Sequence, residues 1–288
     1  MTIPRSLNFR AALLSVLILL LLLGLWYAAT SSNTAANSMA GMTAEQIEYA
    51  KMMGKDPGSD KATGFPTLGQ MGATIWGHVS DPFFDRGPNE KGIAIQLAHS
   101  LGRVALGFLL AMLVAIPLGF VIGMSPLLRR AFDPFIQVLK PISPLAWMPL
   151  ALYTIKDSSA SGIFVIFICS IWPMLVNTAF GVSAVKREWL NVARTLEVNP
   201  VRTAFQVILP AAAPTILTGM RISMSIAWLV IVAAEMLVGG TGIGYFVWNE
   251  WNNLSLPNVI FAIGVIGVVG MLLDLLFGQI QKMVTYVE

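Results

Sequence analysis

The chain has 288 residues, of which 56% are apolar and only 11% are charged, whereas an ordinary soluble domain carries about 25% charged residues. This composition excludes a soluble globular protein and predicts an all-α integral membrane protein. The single cysteine, Cys169, lies in an apolar run and supports neither a disulfide framework nor a metal cluster. The net charge of +3 comes from scattered Lys and Arg, so we expect no nucleic-acid partner.

A membrane-spanning helix needs roughly 20 predominantly apolar residues to cross about 30 Å of hydrocarbon. Six stretches meet that requirement, and they predict six transmembrane helices. In chain order they cover residues 11–29, 104–123, 135–155, 163–182, 216–237 and 259–277.

Basic residues accumulate at one end of the predicted spans. By the positive-inside rule, this end and both chain termini are expected in the cytoplasm. The 239–257 loop at the other end has no Lys or Arg, and its Trp248 and Trp251 are typical of a membrane interface. The basic residues are Arg5, Arg10, Arg129, Arg130, Lys186, Arg187, Arg194, Arg202 and Lys282.

The first apolar run has two interpretations, a cleaved signal peptide or a retained helix. It exceeds the roughly 7 to 15 residues of a signal-peptide core, which favours a retained N-terminal membrane helix over residues 1–29. Residues 30–98 then form an external segment, in which we expect one helix from Thr43 to about Gly54 and another at 68–79. Residues 99–288 form a five-helix core with a polar loop at 186–214.

That polar loop predicts two short amphipathic helices. Asn199 and Pro200 between them are favourable N-cap and first-turn residues, and we expect Pro210 to end the second helix because proline disfavours a helical residue before it. The residues alone leave two roles open, an elbow that packs on its own bundle or a docking surface for a partner. The apolar positions at helical spacing are Trp189, Val192, Ala193 and Leu196, then Val201, Ala204, Phe205 and Ile208.

The same loop resembles the EAA loop of ABC importer permeases, whose pattern is E-A-A-x3-G-x9-I-x-L-P. Here the pattern begins with Asn191-Val192-Ala193, has Glu197 where the family has Gly, and ends at Val207-Ile208-Leu209-Pro210, with every interval kept. The family's Gly permits a sharp turn. We expect Asn199 and Pro200 to supply that turn in this chain.

The resemblance extends from about residue 65 to the C-terminus and is closest to the nitrate, sulfonate and taurine branch, in particular to cyanobacterial-type nitrate and bicarbonate permeases. It is carried by DPFFDRGPNEKGIAIQLAHSLGRVALGF, PISPLAWMPLALY and AWLVIVAAEMLVGGTGIGYFVWNEWN. It implies the type I ABC importer permease fold in a bacterial inner membrane, with nitrate the preferred cargo and nitrite a second one. Bicarbonate, cyanate, sulfonates and taurine are alternative cargoes.

In such permeases the first short helix of the loop inserts into a groove of the ATPase subunit. The resemblance therefore implies that residues 188–196 are the coupling helix. It also implies a second copy of the chain, two ABC ATPase subunits that bind ATP and magnesium, and an external solute-binding protein. The residues expected to take part in coupling are Glu188, Trp189, Asn191, Val192, Ala193, Arg194, Leu196 and Glu197.

Nothing in the sequence predicts catalysis by this chain itself. The phosphate-binding pattern G-x-x-x-x-G-K-[ST] is absent, so we expect no cofactor on this chain and ATP hydrolysis by its partners. The glycines at 239, 240, 242 and 244 lack a preceding strand and predict a tight turn. A gradient-driven secondary anion carrier is the alternative outside this class, but such carriers commonly contain internal repeats, and we detect none.

Ionisable residues inside predicted spans are costly and often functional. Arg103 and Glu235 lie at a similar depth near the external end, so an ion pair between them is geometrically possible. It has two interpretations, a structural pair or a gate at the outer mouth of the pathway. Lys140 and Asp274 lie nearer the cytoplasmic end, where we expect them to reach headgroups or, for Asp274, to pair with a cytoplasmic cation.

A transported anion requires weak intermediate sites, because a strong one would trap it. We therefore expect neutral polar side chains to line the pathway, with Arg103 at its mouth. The prolines of spans two, three and four predict kinks beside that pathway, whereas Gly119, Gly123 and the series Gly264, Gly267 and Gly270 predict close helix packing. The candidate pathway residues are Ser143, Asn177, Thr178, Ser223 and Ser225.

Overall fold

A computed structural model describes residues 5–31, 65–87 and 90–284, and its regular elements in that part of the chain are helices. The predicted helix after Thr43 lies outside the described residues. In chain order the helices are α1 (Arg5–Ser31), α2 (Leu68–Ser80), α3 (Ile93–Met124), α4 (Pro126–Leu139), α5 (Pro144–Ile155), α6 (Ser158–Ser183), α7 (Arg187–Thr195), α8 (Pro200–Thr203), α9 (Leu209–Val238), α10 (Ile243–Asn252) and α11 (Leu256–Val284).

The apolar helices agree with the sequence prediction in five of the six places. α1, α3, α6, α11 and the helical run Pro200–Val238 are long and apolar enough to cross a membrane. The predicted span at 135–155 is broken, because α4 and α5 meet at a bend of 90°, and the kink that the prolines of this span predicted is confirmed. Pro141 lies in the break and Pro144 begins α5, and each proline lacks the N–H that would continue the helical ladder.

One compact unit contains α1, α2 and the first residues of α11. The predicted helix at 68–79 is confirmed by α2, which begins with a capping box: the Thr67 N–H donates to Gln70 Oε1 at 2.9 Å, and the Gln70 N–H donates to Thr67 Oγ1 at 3.3 Å. The Trp26 indole N–H of α1 donates to the Pro66 carbonyl at 2.9 Å. This bond ties the end of α1 to the segment that leads into α2.

The other unit is built around α6, which packs against both α3 and α9. Ile166 and Met174 of α6 are fully buried together with Ala111 of α3 and Ile231 of α9. At the α9–α11 contact the Trp228 indole N–H donates to the Ile266 carbonyl at 3.0 Å. These contacts make α3, α6 and α9 the core on which the shorter helices are placed.

Glycines bring α3 and α6 into close contact. A Cβ on Gly119 would lie 2.8 Å from both the Leu175 carbonyl oxygen and Thr178 Cβ, and a Cβ on Gly123 would lie 2.7 Å from the Ala179 carbonyl oxygen. The close packing predicted at this pair is therefore confirmed. The series in α11 is mixed: a Cβ on Gly270 would lie 3.2 Å from Trp228 Cδ1, whereas one at 264 or 267 would meet no atom of the described residues within 4 Å.

The prediction that Pro210 ends the second short helix is also wrong. Helix α8 continues through a π-helical turn, Ala204–Ile208, directly into α9. Within this turn the Leu209 N–H donates to the Ala204 carbonyl, one residue further back than in an α-helix. The wider turn accommodates the proline ring, which would clash with the carbonyl four residues earlier in a regular helix.

We predict that Gly119→Ala destabilises the protein by about 1–3 kcal/mol, because the added methyl overlaps the α6 backbone. Gly102→Ala in the same helix is the matched control, since a Cβ there meets nothing within 4 Å. The control should retain or slightly raise stability, because alanine favours a helix over glycine. Thermal unfolding in detergent measures both, and equal melting temperatures for the two variants would contradict the packing argument.

Candidate functional site

Helix α7 is anchored on the ends of α6 and α9. Leu190 packs against a buried cluster formed by Val182, Val185, Ile208, Ala212 and Ile216. Ala193, one helical turn further along, is also buried. One face of this short helix is therefore fixed to the bundle, and any displacement of α7 acts directly on the adjoining ends of α6 and α9.

Most remaining apolar residues of α7, its C-cap Leu196 and the helical run at 200–205 face away from the bundle. The exposed fraction reaches 69% for Leu196 and 66% for Phe205. Large exposed apolar side chains that cluster on a surface mark interaction sites, so this arrangement favours the docking interpretation over the elbow. The amphipathic surface, as we name it, consists of Trp189, Val192, Leu196, Val201 and Phe205. Glu188, Asn191, Arg194 and Glu197 are also exposed, beside these apolar residues.

The turn between α7 and α8 occurs at Glu197, at the position where the EAA pattern has Gly. Glu197 has φ +50°, the Val198 N–H donates to the Ala193 carbonyl at 3.0 Å, and the Glu197 N–H donates to the Arg194 carbonyl at 3.0 Å. These two bonds form a Schellman motif. The expectation that Asn199 and Pro200 supply the turn is thus wrong.

The predicted start of the second helix is confirmed. Asn199 Oδ1 accepts from the Val201 N–H at 3.1 Å, and Pro200 is the first residue of α8. Asn199 therefore acts as the N-cap, whereas the reversal of direction has already taken place at Glu197.

An open groove of about 860 Å³ lies beside the amphipathic surface, between the ends of α3 and α6, the start of α4, and α7. Its lining contains four arginines and one carboxylate, and the Arg129 Nη1 donates to Ser183 Oγ at 3.1 Å. The excess of positive charge favours an acidic partner surface. The charged lining residues are Arg129, Arg130, Arg187, Arg194 and Asp133.

At the opposite end of the bundle, Arg103 and Glu235 form the ion pair that the sequence allowed. Arg103 Nη1 lies 2.8 Å from Glu235 Oε1, and the two side chains are only 15% and 3% exposed. The same Nη1 donates to the Thr241 carbonyl at 2.7 Å, while Nε donates to Ser159 Oγ at 3.1 Å. The pair thereby joins α3, α6, α9 and the turn before α10.

Glu235 also takes part in capping the N-terminus of α10. The Gly242 N–H donates to Gln96 Oε1 at 2.6 Å, the Ile243 N–H to Ser100 Oγ at 2.9 Å, and the Gly244 N–H to Glu235 Oε2 at 3.0 Å. The Ser100 hydroxyl in turn donates to the Glu235 carboxylate at 2.8 Å. Side chains from α3 and α9 thus satisfy backbone donors that a helix start leaves unpaired.

The glycines of this turn have two distinct roles. Gly239 and Gly240 have φ +78° and +94° and form the predicted tight turn. Gly242 and Gly244 permit close approach, because a Cβ on the former would overlap the Glu235 carboxylate and one on the latter would overlap the Val232 carbonyl oxygen. We name Gln96, Ser100, Arg103, Glu235 and the Gly242–Gly244 backbone the Glu235 network. Its function as a gate stays a prediction.

The five neutral pathway candidates lie in different environments. Thr178 and Ser223 are fully buried within the protomer, and Ser223 Oγ donates to the Ser170 carbonyl at 2.7 Å. Asn177 is half-buried and donates to the Pro173 carbonyl, whereas Ser143 and Ser225 are exposed. Contact between any of these side chains and an anion stays a prediction.

Asp274 has a partner that the sequence analysis missed. Arg221 of α9 donates from Nε to Asp274 Oδ1 at 2.6 Å and from Nη2 to Oδ2 at 2.5 Å. Asp274 thus pairs with Arg221, a cation within a membrane span, and not with a cytoplasmic residue as expected. The presence of Arg221 in the predicted span 216–237 could have indicated this pair, because charged residues at that depth are rare and commonly paired. Lys140 is exposed in the break between α4 and α5.

Residues 115–286 match the family model of the binding-protein-dependent transport system inner membrane component. The chain belongs to this family, which comprises the permease subunits of ABC transporters. It is therefore a multi-pass protein of the inner membrane.

Characterised relatives agree with this assignment. The chain is 42% identical to the nitrate import permease protein NrtB of Synechocystis over 80% of its own length and 84% of the relative's. It is 46% identical to NrtB of Leptolyngbya laminosa over 73% of this chain and 75% of that protein. The bicarbonate transport system permease protein CmpB of Synechocystis is 42% identical over 70% of this chain and 73% of its own.

Solved structures share the fold. An inward-facing structure of the MetNI methionine ABC transporter has a TM-score of 0.60 at 13% identity, covering 67% of this chain and 96% of that one. An amino acid ABC transporter has a TM-score of 0.56 at 15% identity, covering 65% and 92%. The predicted type I importer permease fold is confirmed.

We predict that Glu197→Gly is tolerated, whereas Glu197→Val lowers stability by about 1–2 kcal/mol. The left-handed conformation at this position costs a side chain energy, most of all a β-branched one, and costs glycine nothing. Thermal unfolding of the purified protein compares the two variants. If valine were tolerated as well as glycine, Glu197 would not occupy the left-handed conformation.

We predict that Glu235→Ala destabilises the protein by about 3–5 kcal/mol, because it leaves a buried guanidinium without its counter-ion. Glu235→Gln should cost less, since the amide oxygen still accepts from Ser100 and from the Gly244 N–H. Asp133→Ala, at an exposed carboxylate, is the control and should change stability by about 0.5 kcal/mol or less. Chemical denaturation in detergent measures all three, and an Ala variant as stable as the control would contradict the structural role.

Proposed function

We propose that this chain is the permease subunit of an ATP-driven importer that moves nitrate, and nitrite as a second cargo, into the cytoplasm. The amphipathic surface carries the proposal, because exposed Val192 and Leu196 lie on a short helix anchored to the bundle at the position of the EAA loop. The NrtB relatives, at 42% and 46% identity, support the choice of nitrate.

The surroundings of α7 support a coupling role. Positive residues cluster at this end of the bundle, which the positive-inside rule assigns to the cytoplasm together with both termini. An ATPase subunit that moves α7 would displace the ends of α6 and α9 through Leu190 and its buried cluster. In this mechanism ATP binding opens the pathway outward and hydrolysis returns it inward.

The proposed assembly contains two copies of this chain, two ABC ATPase subunits and an external solute-binding protein. ATP and magnesium are bound by the ATPase subunits, and the binding protein delivers the anion to the outer face. The pathway is lined in part by the neutral residues Ser143, Asn177, Thr178, Ser223 and Ser225. Glu235 and Arg103 act at its outer mouth, and wild-type transport by a Glu235→Gln variant would exclude that gate.

Bicarbonate is the second candidate cargo, favoured by the CmpB relative at 42% identity. Nitrate and bicarbonate are both planar monovalent oxyanions, so a pathway suited to one is chemically suited to the other. Uptake by liposomes that contain the whole transporter, with nitrate and bicarbonate supplied separately, distinguishes them.

We predict that the tagged chain, purified in mild detergent, retains an ABC ATPase in stoichiometric amount. The double variant Val192→Glu/Leu196→Glu should retain at least about tenfold less, because two carboxylates replace the apolar contacts. Phe83→Glu, at another side chain that is 71% exposed, is the control and should retain the wild-type amount. Mass spectrometry of the purified complexes measures this, and a homo-oligomer without an ATPase would favour a gradient-driven carrier.

A further inference from the structure

The Arg221–Asp274 pair is the second intramembrane ion pair of the described residues, and it is unlike the first. Arg221 lies about 18 Å from the start of α9 and Asp274 about 15 Å from the end of α11, at 1.5 Å per residue. Apolar residues flank both positions, in MRISM and LLDLL. The pair is therefore within the predicted membrane-spanning stretches.

The pair is open on one side of the protomer. The Arg221 and Asp274 side chains are 40% and 42% exposed, and they line an open cavity of about 390 Å³ with Gln279, Gln281 and Lys282. Charged groups at membrane depth face a protein interior or a water-filled cavity rather than hydrocarbon. Five of its seven lining residues carry a charged or amide group, so we expect the cavity to admit water and ions.

Arg221 retains donors that a ligand can use. Its bonds to Asp274 use Nε and one Nη2 hydrogen, and Nη1 donates to no group among the described residues. A Cβ on Gly278 would lie 3.8 Å from the guanidinium carbon, so no side chain from this position covers the guanidinium. The planar fork of donors is suited to a planar oxyanion.

Asp274 lowers the affinity of such a site for an anion, as transport requires. A lone guanidinium at this depth would hold an anion tightly, whereas a neighbouring carboxylate offsets most of its charge. Conduction requires sites that bind well enough to admit an ion and weakly enough to release it. Arg103 is a poorer candidate, because three of its donors are bonded to Glu235, Ser159 and the Thr241 carbonyl and its side chain is only 15% exposed.

We propose that Arg221, with Asp274 as its counter-ion, is a transit site for a planar monovalent oxyanion in the half of the pathway nearer α7. This inference rests on the proposed function, since it assigns a binding residue to the same transport pathway. Lys282, at the end of the same cavity, supplies a second positive charge toward the end of α11.

The test removes the pair without leaving a buried charge. Arg221→Met/Asp274→Leu replaces both members by apolar residues of similar volume, a change that proteins commonly tolerate. The transporter, with its ATPase subunits and binding protein, is reconstituted in liposomes and supplied with isotope-labelled nitrate. We expect at least about tenfold slower uptake with unchanged thermal stability and unchanged ATPase retention, and uptake within twofold of wild type would overturn the assignment.

A second variant gives a result that a purely structural role would not produce. Asp274→Asn leaves Arg221 without its counter-ion, so nitrate inside the vesicles should inhibit uptake at a concentration about tenfold lower than in wild type. An unchanged inhibitory concentration would contradict the transit site. Asp85→Asn/Lys91→Gln removes another ion pair, with an N–O distance of 3.4 Å, and should behave as wild type.

The phosphate of an anionic lipid could bind the same guanidinium. Measuring uptake in vesicles with and without anionic lipids distinguishes a bound lipid from a transported anion. A difference between wild type and the double variant that is present only with anionic lipids would assign the site to lipid and overturn the proposal. If wild type takes up bicarbonate rather than nitrate, the same comparisons apply to bicarbonate. A wild-type transporter without ATP-dependent uptake of either anion would contradict the proposed function itself.

Discussion

The structure depends on a carboxylate that is almost completely removed from solvent. Glu235 accepts from Arg103, from the Ser100 hydroxyl and from the Gly244 N–H, so its charge is balanced and its oxygens are satisfied. A buried charge without such partners would be very costly. The helices that supply the partners are consequently held in one arrangement at this end of the bundle, and α10 begins where the carboxylate can cap it.

At the opposite end of the bundle, α7 is held by apolar packing. Leu190 inserts beside a buried aliphatic cluster, while neighbouring apolar side chains stay exposed on α7 and α8. The π-helical turn at Ala204–Ile208 makes α8 and α9 one helical run in spite of Pro210. A force on α7 can therefore reach α9 through side-chain contact and through the continuous helical run that begins at α8. The ion-paired end and the end beside α7 are thus the two ends of α6 and α9.

The features that depend on hydrophobic periodicity, capping residues and charge could be predicted from the sequence. The long apolar helices, the Asn199 cap and the Arg103–Glu235 pair followed from composition, cap chemistry and depth. The prolines of the third span predicted a kink, but the sequence predicted neither its size of 90° nor the passage through Pro210, because both depend on how a proline is accommodated by surrounding structure. The turn at Glu197 was missed for a related reason. A left-handed conformation at a residue other than glycine depends on the hydrogen bonds of the surrounding motif.

The two arginines inside the spans show why depth alone does not identify a functional cation. Arg103 is 15% exposed, and carboxylate, hydroxyl and carbonyl oxygens accept from three of its donors. Arg221 has one carboxylate partner and an open side. A transported anion can exchange only with a cation whose remaining donors face a cavity, and its release requires a counter-charge close by. The cavity beside Arg221 has about 390 Å³, whereas the space beside Arg103 has about 10 Å³, so of these two arginines Arg221 is the one with room for an anion.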